Sequence, residues 1–275
     1  MTHGFPLAGV VGRPIAHSRS ARLHRHWLAR HGIAGDYVAM EIGEGDLEQV
    51  LRILPRAGFR GVNVTIPHKM AALSLADEAT DRARRIGAAN LLVFEGNRIL
   101  ADNTDGEGFL NSVRQGAPGW NPARGAATVL GAGGAARAVI VALLDAGAPE
   151  ILLTNRTRAT AEGLREEFGD RIRVFDWVKA GNAVEEGAIV VNTTSLGMVG
   201  NPELRVPLDG LRPGQVVTDL VYSPLETRLL QQARKAGAQG VDGLGMLLHQ
   251  AAPAFERWFG VRPQVDDALR AAVLA

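Results

Sequence analysis

Short apolar runs alternate with helix-periodic segments along the whole chain. Leu7-Ala8-Gly9-Val10-Val11 has the pattern of a buried strand, and Gly12-Arg13-Pro14 turns it towards a helix over about Arg22 to His31. Tyr37 to Ile42 alternates as a strand does, and Asp46-Leu47-Glu48-Gln49 resembles a capping box opening a helix that Gly58 ends. Arg60 to Thr65 forms the next strand, Ile66-Pro67 stops it, and His68 and Lys69 open another helix. A helical pattern over Asp77 to Ile86 leads to a strand at Leu91-Leu92-Val93-Phe94 and a hairpin turn at Gly96-Asn97. Arg98-Ile99-Leu100 returns, and after the polar segment Ala101 to Gly106 comes an amphipathic helix carrying Phe109, Leu110 and Val113.

The Gly- and Pro-rich segment Gln115 to Gly125 reads as a connector. Beyond it the rhythm resumes, with strands at Val129, Leu152, Val174, Val190, Val217 and Val241, and with Pro224 in the first turn of a helix running to Ala236. Strand–helix alternation twice over predicts two doubly wound α/β units around a cleft, the second of them Rossmann-type. The apolar tail after Asp242, with Phe255, Trp258 and Phe259, needs a surface to pack on and is expected to return to the first unit. The expected division is therefore 1–104 plus 243–275 as one domain and 105–242 as the other. Gln250 then stands on the cleft wall or is simply a polar surface residue.

Composition narrows the chemistry. At 275 residues the chain is long enough for two domains. A formal charge of +1 offers no single-sign field for a polyanion, so nucleic acid is not an expected partner and small molecules are. Without cysteine there is no disulfide, thiol nucleophile or thiolate-bound metal, and the seven histidines lack the His-Glu-x-x-His spacing of a zinc hydrolase, so no metal is expected. Met1 to Gly12 lacks the basic start of a signal peptide, and no apolar run reaches the roughly 18 residues of a spanning helix, so no membrane role and a cytoplasmic location are expected. The helix after Gly12 carries Arg22, His24, Arg25, His26, Arg30 and His31, which reads as a solvated basic face.

The most informative stretch is Thr128 to Arg137. Apolar residues run into Gly131-Ala132-Gly133-Gly134-Ala135-Ala136, a Gly-x-Gly-x-x-Ala fingerprint between strand and helix. The first glycine makes the turn, the second lets a pyrophosphate approach the backbone, and free amides at the helix start face the phosphates. The next strand ends in Asn155-Arg156-Thr157, where an NAD site would place an acid. Arg156 favours a 2′-phosphate and hence NADP, unless it is only a solvated charge at a loop start.

Other polar groups gather at expected strand ends: Asn63, Thr65 and Lys69 after the third strand, Asn192 to Met198, and Asp219 to Pro224. Lys69 at a helix start opposes the macrodipole, which hints at a function beyond exposure. Asp105 either caps its helix or partners Lys69. Ser18 and Ser20 either cap a helix or hold a carboxylate at its start.

Taken together these motifs resemble the shikimate dehydrogenase family, and the resemblance covers nearly the whole chain. Gly12 to Ser20 is similar to the family's substrate-carboxylate motif, Asn63-Val64-Thr65-Ile66-Pro67-His68-Lys69 to its catalytic-lysine motif, and Asp102-Asn103-Thr104-Asp105-Gly106 to its catalytic-aspartate motif. The resemblance implies NADPH-dependent reversible reduction of 3-dehydroshikimate to shikimate, in aromatic amino acid biosynthesis. Lys69 and Asp105 would be the acid–base pair. It implies Ser18 and Ser20 on the substrate carboxylate, and Thr65, Asn90, Asp105, Tyr222 and Gln250 on the ring hydroxyls. Gly131, Ala132, Gly133, Gly134, Ala135, Asn155, Arg156, Thr157, Leu220 and Gly243 would line the NADP site, with Asp81 and Thr160 as further carry-overs. The chain departs from the family pattern at Ala21, Leu91 and Glu107, which flank the proposed ligands and bear on affinity more than on reaction type. The rival readings are a quinate/shikimate dehydrogenase that uses NAD and a non-catalytic NADP-binding sensor. Two units around a cleft also imply a water-excluding closure, and a homodimer is left open.

Overall fold

The computed structural model describes residues 5–275, so the start of the Met1 to Gly12 segment lies outside the described residues. The chain divides into two compact units. The described residues up to Asp105, together with Leu247–Ala275, form the first, and Gly106–Met246 the second. Among the described residues no helix is long and apolar enough to cross a membrane.

The first unit is built on a six-stranded sheet of β1 (Leu7–Gly12), β2 (Asp36–Glu41), β3 (Phe59–Val64), β4 (Glu78–Ala79), β5 (Leu91–Glu95) and β6 (Arg98–Asp102), in the order β2-β1-β3-β5-β6-β4. Only β5 runs against its neighbours. The cause is local: Gly96, at φ +62°, and Asn97 leave too short a link for a parallel crossover, so β5 and β6 pair as a hairpin. Helices α1 (Ser20–Arg30), α2 (Leu47–Ile53), α3 (Lys69–Leu75) and α4 (Asp81–Ile86) join these strands.

Four details differ from the sequence expectations. α1 starts at Ser20, and neither serine caps it by side chain; instead the Ser18 hydroxyl accepts the Ser20 N–H at 3.3 Å. Asp46 makes no capping bond, because a 3₁₀ turn over Glu44–Asp46 leads into α2. The segment from Asp77 begins extended, since Asp77 accepts the Ile99 N–H at 2.7 Å and Glu78–Ala79 pairs with β6; Thr80 then caps α4. The basic helix α1 is not wholly solvated, because its Leu23, His24, Trp27 and Leu28 face is buried. His24 stacks on Tyr37 with centroids 4.0 Å apart, among Trp27, Phe255 and Trp258.

The two aromatic residues from the far end of the sequence explain where the tail goes. α10 (Gly243–Phe259) begins in the second unit, and its residues from Leu247 onward, with α11 (Asp267–Leu274), join the first. Trp27 Nε1 donates to the Gln264 carbonyl at 3.1 Å and Arg60 to that of Trp258 at 2.8 Å, so the docking is hydrogen-bonded as well as apolar.

The second unit holds β7 (Ala127–Leu130), β8 (Ile151–Asn155), β9 (Ile172–Asp176), β10 (Ile189–Asn192), β11 (Val216–Asp219) and β12 (Gln239–Val241). All are parallel, in the order β12-β11-β10-β7-β8-β9. This is the doubly wound order of dinucleotide-binding folds, with the switch in direction between β7 and β10. α5 (Asp105–Gly116) and α6 (Gly134–Asp145) cover one face through Phe109, Val113, Val139 and Leu143. α8 (Ala180–Glu186) and α9 (Arg228–Lys235) cover the other through Val184 and Leu229. α7 (Arg158–Phe168) follows β8. Pro224 lies outside α9, whose cap is Thr227: its hydroxyl accepts the Leu230 N–H and donates to Asp219, an anchor the proline cannot supply.

Candidate active site

The reversed strand β5 is what gathers polar groups in the first unit. β3 and β6 end at one edge of the sheet, and antiparallel pairing brings the start of β5 to the same edge, with Leu91 opposite both Asn63 and Asp102. Asn90 therefore sits between the segment leading from β3 to Lys69 and the segment leading from β6 to Asp105. Lys69 Nζ lies 2.5 Å from Asp105 Oδ2, with the two side chains only 13% and 5% exposed. The carboxylate offsets the cost of an ammonium in the first turn of α3.

The other carboxylate oxygen, Asp105 Oδ1, accepts from Asn90 Nδ2 at 2.9 Å. That amide nitrogen also reaches Thr104 Oγ1 and Gln250 Oε1, each at 3.0 Å. It carries two hydrogens for three acceptors, so one acceptor is always without it. The orientation of Asn90 is set by the Thr104 N–H, which donates to Asn90 Oδ1 at 2.8 Å. Gln250 is buried, its Nε2 donating to the Leu247 carbonyl; it belongs to this network and is not a surface residue. Burial alone would raise the Asp102 carboxyl, but Arg82 and Thr80 outweigh it and hold that group below the usual range, pinning the end of β6.

Asn63 does not project. It is buried, accepting the Tyr37 hydroxyl at 2.8 Å and donating to the Asn90 carbonyl at 3.1 Å, which makes it a tie between strands. Thr65 is half-buried, and its methyl would lie 2.3 Å from a Cβ on Gly12, so only glycine there lets the two strand ends approach. The Arg13 N–H donates to the Ile66 carbonyl at 2.8 Å, fastening the loop that bears Ser18 and Ser20 to the one that leads to Lys69. Ser18 is half-buried and Ser20 buried.

In the second unit the glycine-rich turn has the shape a dinucleotide requires. Gly131 has φ +107°, and a Cβ there would meet Thr193 Oγ1 and Thr194 Cγ2 at 2.8 Å. A Cβ on exposed Gly133 would meet nothing within 4 Å, so the space over that backbone is open to a ligand. Ala132 and Ala136 are buried, while Gly134 and Ala135 begin α6 with unbonded amides of its first turn. At the end of β8, Asn155 Nδ2 donates to the Thr157 carbonyl at 2.9 Å, and Arg156, Thr157 and Thr160 are exposed. Leu220 and Gly243 meet: a Cβ on Gly243 would lie 2.5 Å from the Leu220 carbonyl oxygen.

Asp219 holds the turn that carries Leu220 and Tyr222. Burial pushes its carboxyl up to about 6, against bonds from Thr227, the Val221 N–H and Asn192. Two residues predicted from sequence belong to the other unit from most of their expected companions. Tyr222 is half-buried on the second unit, whereas the other proposed substrate residues are on the first; Asp81 is on the first, exposed at the start of α4 and paired with Arg84 at 3.4 Å. Asn103 and Thr104 were not singled out individually, although both are buried in the network around Asp105. The polar run Asp102 to Asp105 was the available signal.

Family profiles described as the shikimate dehydrogenase substrate binding domain, shikimate / quinate 5-dehydrogenase and the shikimate 5'-dehydrogenase C-terminal domain match residues 10–92, 120–199 and 243–273. A protein of Cereibacter sphaeroides named shikimate dehydrogenase (NADP(+)) is 63% identical over 98% of both chains. The chain belongs to the shikimate dehydrogenase family. Among solved structures, shikimate 5-dehydrogenase of Thermus thermophilus, in complex with NADP(H) and shikimate, aligns with TM-score 0.87 and 38% identity over 98% of both chains. Quinate dehydrogenase of Corynebacterium glutamicum, in complex with NAD, aligns with TM-score 0.89 and 29% identity over 98% of this chain and 99% of that one. Shikimate dehydrogenase architecture thus extends to a relative named for another acid and bound to another cofactor.

Proposed function

We propose that this protein reversibly reduces 3-dehydroshikimate to shikimate with NADPH, as a step towards aromatic amino acids. The observation that carries the reading is the buried Lys69–Asp105 pair joined to Asn90 and Gln250, in a chain so close to relatives named for that activity. The nicotinamide, when bound, supplies the hydride to the ring carbonyl carbon. Lys69 Nζ gives a proton to the oxygen as it becomes a hydroxyl, and takes it back in the reverse direction. Asp105 orients the ammonium and balances its charge; acid–base assistance of this kind is worth about 10²–10⁴ in rate.

In this reading the first unit binds the substrate. Ser18 and Ser20 donate to the ring carboxylate, and Thr65, Asn90, Asp105 and Gln250, with Tyr222 of the second unit, bind the ring hydroxyls. The second unit binds NADP, with the backbone from Gly131 to Ala135 on the pyrophosphate. Arg156 takes the 2′-phosphate, and Asn155, Thr157, Thr160, Leu220 and Gly243 line the remainder; Asp81 is the outlying member. We place the activity in the cytoplasm, and light scattering in solution decides between a monomer and a homodimer.

The deciding experiment is an ultraviolet assay of shikimate and quinate, each with NADP⁺ and NAD⁺, on the wild-type protein and Lys69→Ala. Shikimate with NADP⁺ is expected to be the preferred pair, and Lys69→Ala to lower turnover at least about 10²-fold with KM within several-fold. No oxidation by the wild-type protein would favour a non-catalytic NADP sensor, and near-normal turnover in the variant would remove Lys69 from the mechanism.

A further inference from the structure

Backbone groups of Lys69 and Asp105 are tied by hydrogen bonds to one short stretch of chain and to Asn103. Ala88, Ala89 and Asn90 are consecutive and buried; Ala89 bonds to Lys69, Asn90 to Asp105, and Ala88 to Asn103 beside it. The Ala89 N–H donates to the carbonyl of Lys69 at 2.8 Å, so this stretch holds the first residue of α3. The Asn90 side chain holds the Asp105 carboxylate. Ala88 offers its carbonyl to Asn103 Nδ2 at 2.8 Å, while Asn103 Oδ1 accepts the Asp105 N–H at 3.0 Å. One carboxamide therefore spans from the stretch that fixes Lys69 to the backbone of Asp105. Its own backbone is fixed as well, the Asn103 N–H donating to Asp102 Oδ1 at 2.7 Å.

We propose that Asn103 is a positioning residue for the reaction assigned above, on which this inference rests: its carboxamide fastens the start of α5 to Ala88 and thereby keeps the Asp105 carboxylate within hydrogen-bonding distance of Lys69. Neither half of the amide is replaceable by one atom. The oxygen is needed where a donor points at it, and the nitrogen where a carbonyl does. Alanine removes both. Serine keeps an acceptor two residues before the Asp105 N–H but cannot reach Ala88. Because the residue is 2% exposed and its side-chain partners are backbone groups, it acts through Asp105 and not on the substrate.

The test compares Asn103→Ala and Asn103→Ser with the wild-type protein by steady-state kinetics, NADP⁺ binding and crystal structure. A misplacement of about 1 Å at a catalytic group costs on the order of 10²-fold, so Asn103→Ala is expected to lower kcat by about that factor. Shikimate KM should stay within several-fold and NADP⁺ Kd, a property of the other unit, should not move. The Lys69–Asp105 separation in its crystal structure should open beyond hydrogen-bonding distance. Asn103→Ser should recover part of the loss; should the alanine variant not fold, a serine variant with wild-type kcat overturns the proposal. A folded alanine variant with unchanged kcat, or with the pair still in contact, also overturns it. If the wild-type protein oxidises no shikimate, the assigned reaction fails, and the separation measured in the variant still decides the role of Asn103.

Discussion

Replacing His24 with phenylalanine should make the first unit less sensitive to acid. The imidazole is fully buried, stacked face to face on Tyr37, and neither ring nitrogen has a hydrogen-bond partner. Burial pushes its pKa down from 6.5 to about 3, outweighing the opposing pull of Asn63. Between those values the unfolded chain binds a proton that the folded chain refuses, so stability present above pH 6.5 is lost as pH falls towards 3. At 1.36 kcal/mol per pH unit, the loss between pH 6.5 and 5 is about 2 kcal/mol, and the full window is worth up to about 5 kcal/mol. Phenylalanine has no proton to refuse and no unpaired nitrogens to bury, so that dependence should vanish. Asp219 in the second unit acts in the opposite sense, since its raised value adds stability as pH falls through about 6, and comparing variant with wild type cancels it. The assay is urea unfolding at pH 8 and pH 5, followed by tryptophan fluorescence, Trp27 and Trp258 lying against the histidine. Equal pH dependence in the two proteins would refute the reasoning, because it would mean that the imidazole titrates in the folded state.

Two further predictions concern the nucleotide. Gly133→Val should leave the melting temperature nearly unchanged, as nothing stands within 4 Å of a Cβ there, yet weaken NADP⁺ binding at least about 10-fold by occupying the space a phosphate needs; unaltered affinity by calorimetry would place the pyrophosphate elsewhere. Arg156→Asp should shift the preference from NADPH towards NADH, read as the ratio of kcat/KM for the two cofactors, and an unchanged ratio would show that the 2′-phosphate is held by other groups.

The chain's own pattern was enough for the second unit. Its four inner strands, β7, β8, β10 and β11, are short apolar runs that end in glycine or polar residues, because parallel strands are covered on both faces and their burial is written continuously into the sequence. The glycine fingerprint was equally legible, since its conformation depends on residues adjacent in the chain. Lys69 and Asp105 could be picked out singly, each as a charge at a helix start. Their pairing was one of two readings of Asp105, and what brings it about is β5 reversed between β3 and β6, a matter of which strands pair and not of how any one of them reads. His24 was hidden for the same reason: among arginines and histidines it looks solvated, and only the return of Phe255 and Trp258 encloses it. Asn103 depends on the carbonyl of an alanine, a partner that residue identity never announces. Local conformation and burial period are properties of neighbours along the chain and could be read there; contacts between distant backbone groups exist only once the sheet has chosen its order.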